Sequence, residues 1–380
     1  MMFGSAQAKK STYVGLIGLL GLLLALAGPT HAQVDSDFGR HPLEVFLERD
    51  IDNAGTSRLL FVDSLTGEST PLEVYGERFT PVGRSVMYFD HRANRMMVAL
   101  PDGTITPHPF IQPGGLTRRI DWVVSVDDKL LAWTLTDGQD ANALTTTTTI
   151  ANLDGTDSRQ VLIDGPRDGI RALPLAFSED NQTLYMDYQP DAIAAFAPFQ
   201  QYAGLFALDL ETGGLRLLPE EPGCFCGAGV ASGMFLRLNL TEDLSGFDVK
   251  VHDLHGGFQE TIPSLRLSNY TQAGDLMISP DGTRAVYALA QIRDFGGANQ
   301  SVRTVFVLVN LTTHTQSALT DPITTFVQPL AWTEDNTAIL FTSPTLNGTW
   351  KVSLSDGRLS KVANATFLGR LPHNSIATLD

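Results

Sequence analysis

The chain has 380 residues, a formal net charge of −16, 43% hydrophobic residues and only 18% charged ones. An acidic chain without a basic run is a poor partner for nucleic acid or an anionic membrane surface, and this apolar content argues against disorder. Few charges with many Thr and Gly suit an all-β globular protein.

The first element in chain order is not part of the fold. Lys9 and Lys10 form a short basic head, Val14 to Ala27 an apolar run, and Thr30-His31-Ala32 ends in a small residue. This is the pattern of a secretory signal peptide, residues 1–32. It predicts an exported protein, periplasmic or extracellular. An uncleaved anchor is the competing reading, because the run is only slightly shorter than a bilayer span. Without a following Cys, no lipid anchor is expected. Once the signal is cleaved, no stable membrane insertion is expected either. Residues 33–43 make a short N-terminal segment, and 44–380 carry the repeats.

Within 44–380 two turn signatures alternate. The first is an apolar strand, then Ser or Thr, then a turn containing Asp. It appears as "WVVSVDDKLLAWTL" from Trp122, "LAFSEDNQTLYMDY" from Leu175, "LMISPDGTRAVYALA" from Leu276 and "LAWTEDNTAILFTS" from Leu330. "MYFDHRANRMMVAL" from Met87 is looser. In the Ser279-Pro280-Asp281-Gly282 turn, Pro pre-sets φ, Asp bonds its own backbone and Gly accepts positive φ. The second signature is a strand ending in Asp or Asn, then Leu and a polar turn. Its leucines are Leu65, Leu100, Leu153, Leu210, Leu254, Leu311 and Leu354, spaced by about 35 to 57 residues. That period is the period of a four-stranded propeller blade.

The expected fold is therefore all-β: a single β-propeller of about seven four-stranded blades. Six is the alternative, because the unit at 83–111 is short. The inner hairpin is hard to find in the unit at 229–263, which predicts a degenerate blade there. The unit at 44–76 supplies only three strands. The tail "ATFLGRLPHNSIATLD" offers the fourth, so N- and C-terminal strands would close the ring and remove open edges.

The run "SPDGTRAVYAL" resembles the repeat of TolB-like, PD-type β-propellers, with Ser279 to Gly282 matching fully. Ser178-Glu179-Asp180-Asn181 and Thr333-Glu334-Asp335-Asn336 match in part, lacking Pro and Gly. The resemblance implies the fold more than the function, since propellers host unrelated activities. It implies either a periplasmic scaffold that binds partner proteins or a propeller of the kind attached to serine peptidases. The chain shows no segment for TolB's separate N-terminal domain and none for a peptidase domain.

Catalytic motifs are missing. There is no Gly-x-Ser-x-Gly elbow and no His-Glu-x-x-His. His252 and His255 in "VHDLHGG" have a metal-like spacing, but strand and turn positions account for both, so neither metal nor cofactor is expected. Cys224 and Cys226 in "GCFCG" suit either a small disulfide or two loop thiols, and the spacing leaves both open.

Loop length is the functional signal. In a propeller the B–C and D–A connections share one face. Here that face would carry "QPDAIAAFAPFQQYAG", "QIRDFGGANQSV", "QPGGLTRRID" and "DGPRDGIRALP". Long loops on a rigid scaffold are where binding resides. Phe196, Phe199, Tyr202 and Phe295 are the candidate anchors, and Arg118, Arg119, Arg171 and Arg293 the candidate polar contacts. The favoured function is a non-catalytic scaffold binding a protein or glycan through this face. The alternative is a lactonase- or lyase-type propeller enzyme with a site at the central channel mouth. It would need carboxylates or His at the start of several inner strands. The openings Leu173-Pro174-Leu175 and Gln328-Pro329-Leu330 weigh against it.

Overall fold

A computed structural model describes residues 41–49, 56–191, 199–224, 226–254 and 259–372. The proposed signal peptide, Phe196, His255 and the last residues of the tail lie outside these.

Seven antiparallel four-stranded sheets make up the described chain. Blade 1 holds β1 (Leu43–Arg49), β2 (Ser57–Asp63) and β3 (Ser69–Val74). Blade 2 is β4 (Gly76–Val82), β5 (Ser85–Asp90), β6 (Arg95–Ala99) and β7 (Ile105–Pro107). Blade 3 is β8 (Thr117–Val124), β9 (Leu130–Asp137), β10 (Leu144–Asn152) and β11 (Arg159–Arg167). Blade 4 is β12 (Ile170–Phe177), β13 (Thr183–Pro190), β14 (Leu205–Asp209) and β15 (Leu215–Leu217). Blade 5 is β16 (Ala228–Ala231), β17 (Met234–Leu240), β18 (Phe247–Asp253) and β19 (Gln259–Ile262). Blade 6 is β20 (Gln272–Ile278), β21 (Arg284–Arg293), β22 (Ser301–Asn310) and β23 (Thr315–Ala318). Blade 7 is β24 (Gln328–Trp332), β25 (Ala338–Thr342), β26 (Thr349–Ser353) and β27 (Leu359–Ala363). The last strand, β28 (Thr366–Leu371), returns to blade 1 as its inner strand, in the order β28-β1-β2-β3.

The count is seven, not six, and the ring closes as the tail predicts. β28 pairs antiparallel with β1, Leu43 opposite Leu371 and Phe46 opposite Phe367. The degenerate blade is blade 5. Its inner strand, Ala-Gly-Val-Ala, is four residues long and carries small side chains.

The turns explain why these sequences fold this way. At Ser125, Ser178, Ser279 and Thr333 the hydroxyl donates to the Asp two residues on, at 2.6–2.7 Å. Each also accepts the backbone amide five residues on, at 2.9–3.0 Å. One Ser/Thr–Asp pair thus caps the inner hairpin in four blades. In the outer turns, Asp63, Asp209 and Asn310 accept the amides two and three residues on.

Apolar strands are buried on both faces because neighbouring blades pack on each other. One cluster joins blades 1 and 2 through Phe61, Leu59, Val86 and Tyr88. Another joins blades 6 and 7 through Phe306, Phe341, Ile339 and Val352. Further clusters fill each junction between.

Candidate functional site

The inner strands start on the face that carries the D–A and B–C loops, and six of the seven are irregular, β28 among them with a shift opposite Val45 and Phe46. Register shifts fall between Glu77 and Thr80, Thr117 and Arg119, Pro174 and Ala176, Gly274 and Met277, and Pro329 and Ala331. A bulge breaks the two-residue alternation and re-aims a side chain. Two of these bulges hold non-Gly residues in left-handed backbone, Arg78 (φ 58°) and Asp275 (φ 53°). That conformation costs on the order of 1 kcal/mol or more each, and it collects at functional positions.

The bulges bring polar groups together. Arg78, Arg119, Asp121, Arg171, Gln189, Gln200, Gln201, Asp275 and Gln328 line one recess of about 470 Å³. It is ringed by inner strands of blades 2, 3, 4, 6 and 7, which places it at the mouth of the central channel. This corrects the expectation that the inner strands open with apolar or small residues. Arg78, Asp121 and Asp275 interrupt those strands, and the bulges at Arg78 and Asp275 hide those two from a reading based on alternation.

Asp121 is the hub of one wall. It is 4% exposed. Arg78 Nη1 donates to its Oδ1 at 2.6 Å, Arg171 Nη1 donates to its Oδ2 at 2.5 Å, and Arg119 Nε lies 3.6 Å away. Arg78 also stacks over Trp122 at 4.2 Å. Asp191 meets Arg171 at 3.5 Å and Arg118 at 3.8 Å. Four guanidiniums therefore share two carboxylates, in a chain whose net charge is −16. Burial pulls the Arg171 guanidinium below its ordinary value, with Asp121 opposing the shift. Arg118 and Arg119 are the least committed of the four, with side chains 39% and 41% exposed.

A strap formed by residues 199–204 crosses the mouth from blade 4 to blade 6. Gln189 links the Arg cluster to it, accepting from Arg171 and donating to the Gln201 carbonyl, both at 3.2 Å. Gln201 donates on to the Ala273 carbonyl at 3.2 Å. Asp275 Oδ1 accepts from the Gln200 amide at 2.7 Å. Asp187 Oδ1 accepts from the Gly204 amide at 2.7 Å. Gly274 lets the strap pass, since a Cβ there would stand 2.5 Å from the Phe199 Cβ. Burial pushes the Asp275 carboxyl up to about 7 and the Asp187 carboxyl up to about 6, the latter against two strap amides that favour its charge.

These shifts set a pH dependence. In the unfolded chain Asp275 ionises near 3.9, whereas in the fold it holds its proton until about 7. Stability therefore falls as pH rises from about 4 to about 7 and then levels. Asp275→Asn keeps an acceptor for the Gln200 amide and removes the buried charge. Its gain over wild type should grow across that window to about 1–2 kcal/mol at pH 8, allowing for its partial exposure. Urea unfolding at pH 5 and pH 8 checks this, and an equal effect at both would contradict it.

The candidates from sequence are placed as follows. Arg119 and Arg171 lie in the recess, Arg171 buried and Arg119 exposed. Arg118 is at its rim, lining the neighbouring cleft with Thr117 and Ile120. Arg293, the last residue of β21, and Phe295, on the B–C loop of blade 6 that follows, are exposed, Phe295 by 67%. Phe199 is corrected: it is 4% exposed, packs with Val286, Val327 and Phe341, and meets Phe326 edge-on at 5.7 Å. It anchors the strap to the core, not a partner to the surface. Tyr202 is half-buried, its backbone bridged to Cys226. Cys224 and Cys226 are joined in a disulfide. His252 is buried and stacked on Phe235 at 5.6 Å. Among the described residues no three His, Cys, Asp or Glu side chains cluster as metal ligands.

No family model and no curated protein matches the chain. Its fold is shared by solved structures of low identity. A prolyl endopeptidase is similar over 86% of this chain and 50% of its own, with a TM-score of 0.57 at 13% identity. An oligogalacturonate lyase in complex with manganese is similar over 87% of this chain and 97% of its own, with a TM-score of 0.52 at 12% identity. TolB from Acinetobacter baumannii matches over 73% of this chain and 62% of its own, with a TM-score of 0.41 at 14% identity. The chain thus spans about half the length of the prolyl endopeptidase. At these identities the likeness is one of fold alone, a seven-bladed β-propeller.

Proposed function

We propose that the chain is an exported, non-catalytic binding module that takes an anionic group of a protein or glycan partner at its channel mouth. The observation that carries this is the surplus of guanidinium around Asp121 and Asp191, held by strained backbone, in an otherwise acidic chain. Such a local reversal of charge attracts anions and repels nothing the fold requires. The long loops and exposed Phe295 frame the mouth as secondary contacts.

The test is an array of acidic peptides and acidic oligosaccharides. It is probed with wild type, with Arg118→Gln/Arg119→Gln, and with a turn-face control, Leu65→Ser/Glu211→Ala. Both arginines are exposed, so the fold is retained. The arginine variant should lose at least tenfold in affinity, about 1.4 kcal/mol, while the control binds as wild type. Wild-type affinity should weaken with salt, and again as pH rises through about 7, when Asp275 on the opposite wall gains its charge. Equal binding by all three proteins would overturn the reading.

One observation favours a second reading, a lyase- or lactonase-type enzyme. Asp275, a carboxyl whose proton is retained to about 7, sits in the same recess as Arg119, and such a pairing serves acid–base chemistry. Turnover of a lactone or polyuronide that Asp275→Asn abolishes would establish it in place of the first.

A further inference from the structure

Below the polar mouth the channel changes character. A second recess of about 250 Å³ is lined by inner strands of blades 4, 5 and 6, including Leu175, Val230, Leu276 and Met277. Leu175 borders both recesses, and Leu276 and Met277 follow directly on Asp275. Blade 5 lines it with the short inner strand Ala228, Gly229, Val230 and Ala231, and Gly229 lets Leu276 pack close, since a Cβ there would stand 2.7 Å from Leu276 Cδ2. The recess that holds the guanidinium cluster thus borders, at Leu175, an apolar pocket of side-chain size. Amide side chains edge the mouth, with Gln200 and Gln328 exposed.

Building on the anion-binding reading, we propose that the channel mouth receives the free C-terminus of a peptide whose last side chain is apolar. The terminal carboxylate meets Arg119 and Arg78, and the last side chain enters the recess beside Leu175 and Met277. The preceding peptide groups pair with the glutamine amides, each of which offers both a donor and an acceptor. Three features of the ligand are needed together. An acidic oligosaccharide would leave the apolar recess unfilled, and a fatty acid would leave the amides unanswered. Burial of one aliphatic side chain and one charge-assisted pair suffices for specificity between chain ends.

The experiment is fluorescence titration of the full chain with an acetylated tetrapeptide ending in leucine, as free acid and as amide. The same peptide ending in aspartate, trigalacturonate and dodecanoate are the other arms. The leucine acid should bind at least tenfold tighter than its amide, and Arg119→Gln should erase that difference. Met277→Gln should reduce the preference for leucine over aspartate at the last position while leaving the acid-to-amide ratio intact. Thermal unfolding confirms that both variants fold. Equal binding of acid and amide would overturn the proposal. Arg119-dependent binding of trigalacturonate or dodecanoate without the peptide would overturn it too, and would leave the anion-binding reading standing. No Arg119-dependent binding in any arm would remove both.

Discussion

Deleting residues 364–380 should abolish cooperative folding, because it removes the inner strand of blade 1. β28 gives β1 its only partner on the channel side. It also makes the seventh junction. The Ala365 carbonyl accepts from Thr349 Oγ1 at 2.7 Å, and the Phe367 amide donates to the same oxygen at 2.7 Å. Arg370 bridges Glu44 at 2.9 Å and pairs with Glu334 of blade 7. Phe46 and Phe367 meet edge-on at 5.5 Å, and Leu371 is buried. Losing this burial alone costs roughly 5 kcal/mol, comparable to the whole stability of many domains. The deletion also exposes the channel-side edge of β1, which invites aggregation. Size-exclusion chromatography with a thermal scan checks it. A monomer with an unchanged midpoint would show that the ring does not depend on its closing strand.

Arg237→Met should cost about 3–5 kcal/mol, the range for breaking a buried ion pair from one side. Arg237 is 1% exposed and the Glu221 carboxylate is fully buried, with Nε 3.0 Å from Oε1. The guanidinium also donates to the carbonyls of Cys226 at 3.1 Å, Cys224 at 2.6 Å and Tyr202 at 3.3 Å. One side chain therefore ties the loop between blades 4 and 5 to the strap. Removing it takes the cationic partner from the buried Glu221 carboxylate. Arg237→Met/Glu221→Gln should recover most of the loss, because the uncompensated charge goes with it. The disulfide in the same loop is expected to matter less. It closes so short a loop that Cys224→Ser/Cys226→Ser should cost no more than about 2 kcal/mol. Urea unfolding of the three variants ranks them. A cysteine variant less stable than Arg237→Met would reverse the assignment of what holds the loop.

The fold was legible because its signals are local. Ser279-Pro280-Asp281-Gly282 and its relatives at Ser178 and Thr333 are turns whose chemistry is complete within six residues. The regular outer turns near Leu210 and Leu311 set the period. Even the composite blade followed from counting strands. The site was less legible, because it is made by residues from five blades whose meeting depends on ring geometry. Arg119 and Arg171 were found through the loops they follow. Asp121, Arg78 and Asp275 are missed by the sequence reading, although Asp275 is the lone charge in the otherwise uncharged strand Gln272–Ile278. The bulges at Glu77–Thr80 and Gly274–Met277 turn those charges into the channel, and no alternation pattern encodes a bulge. Phe199 was read as a surface anchor because it lies in a long loop. Gly274, 75 positions later, creates the gap that lets it reach the core.

Hydrogen exchange is the most direct test of the channel mouth as the binding site. Amide protection is measured by mass spectrometry with and without the tightest acidic ligand from the array, at saturating concentration. Slower exchange is predicted in segments 117–121, 170–175, 199–204 and 272–278, with no change in the outer turns at 64–68, 210–214 and 311–315. Protection confined to the outer turns, with the four mouth segments unchanged, would contradict the account.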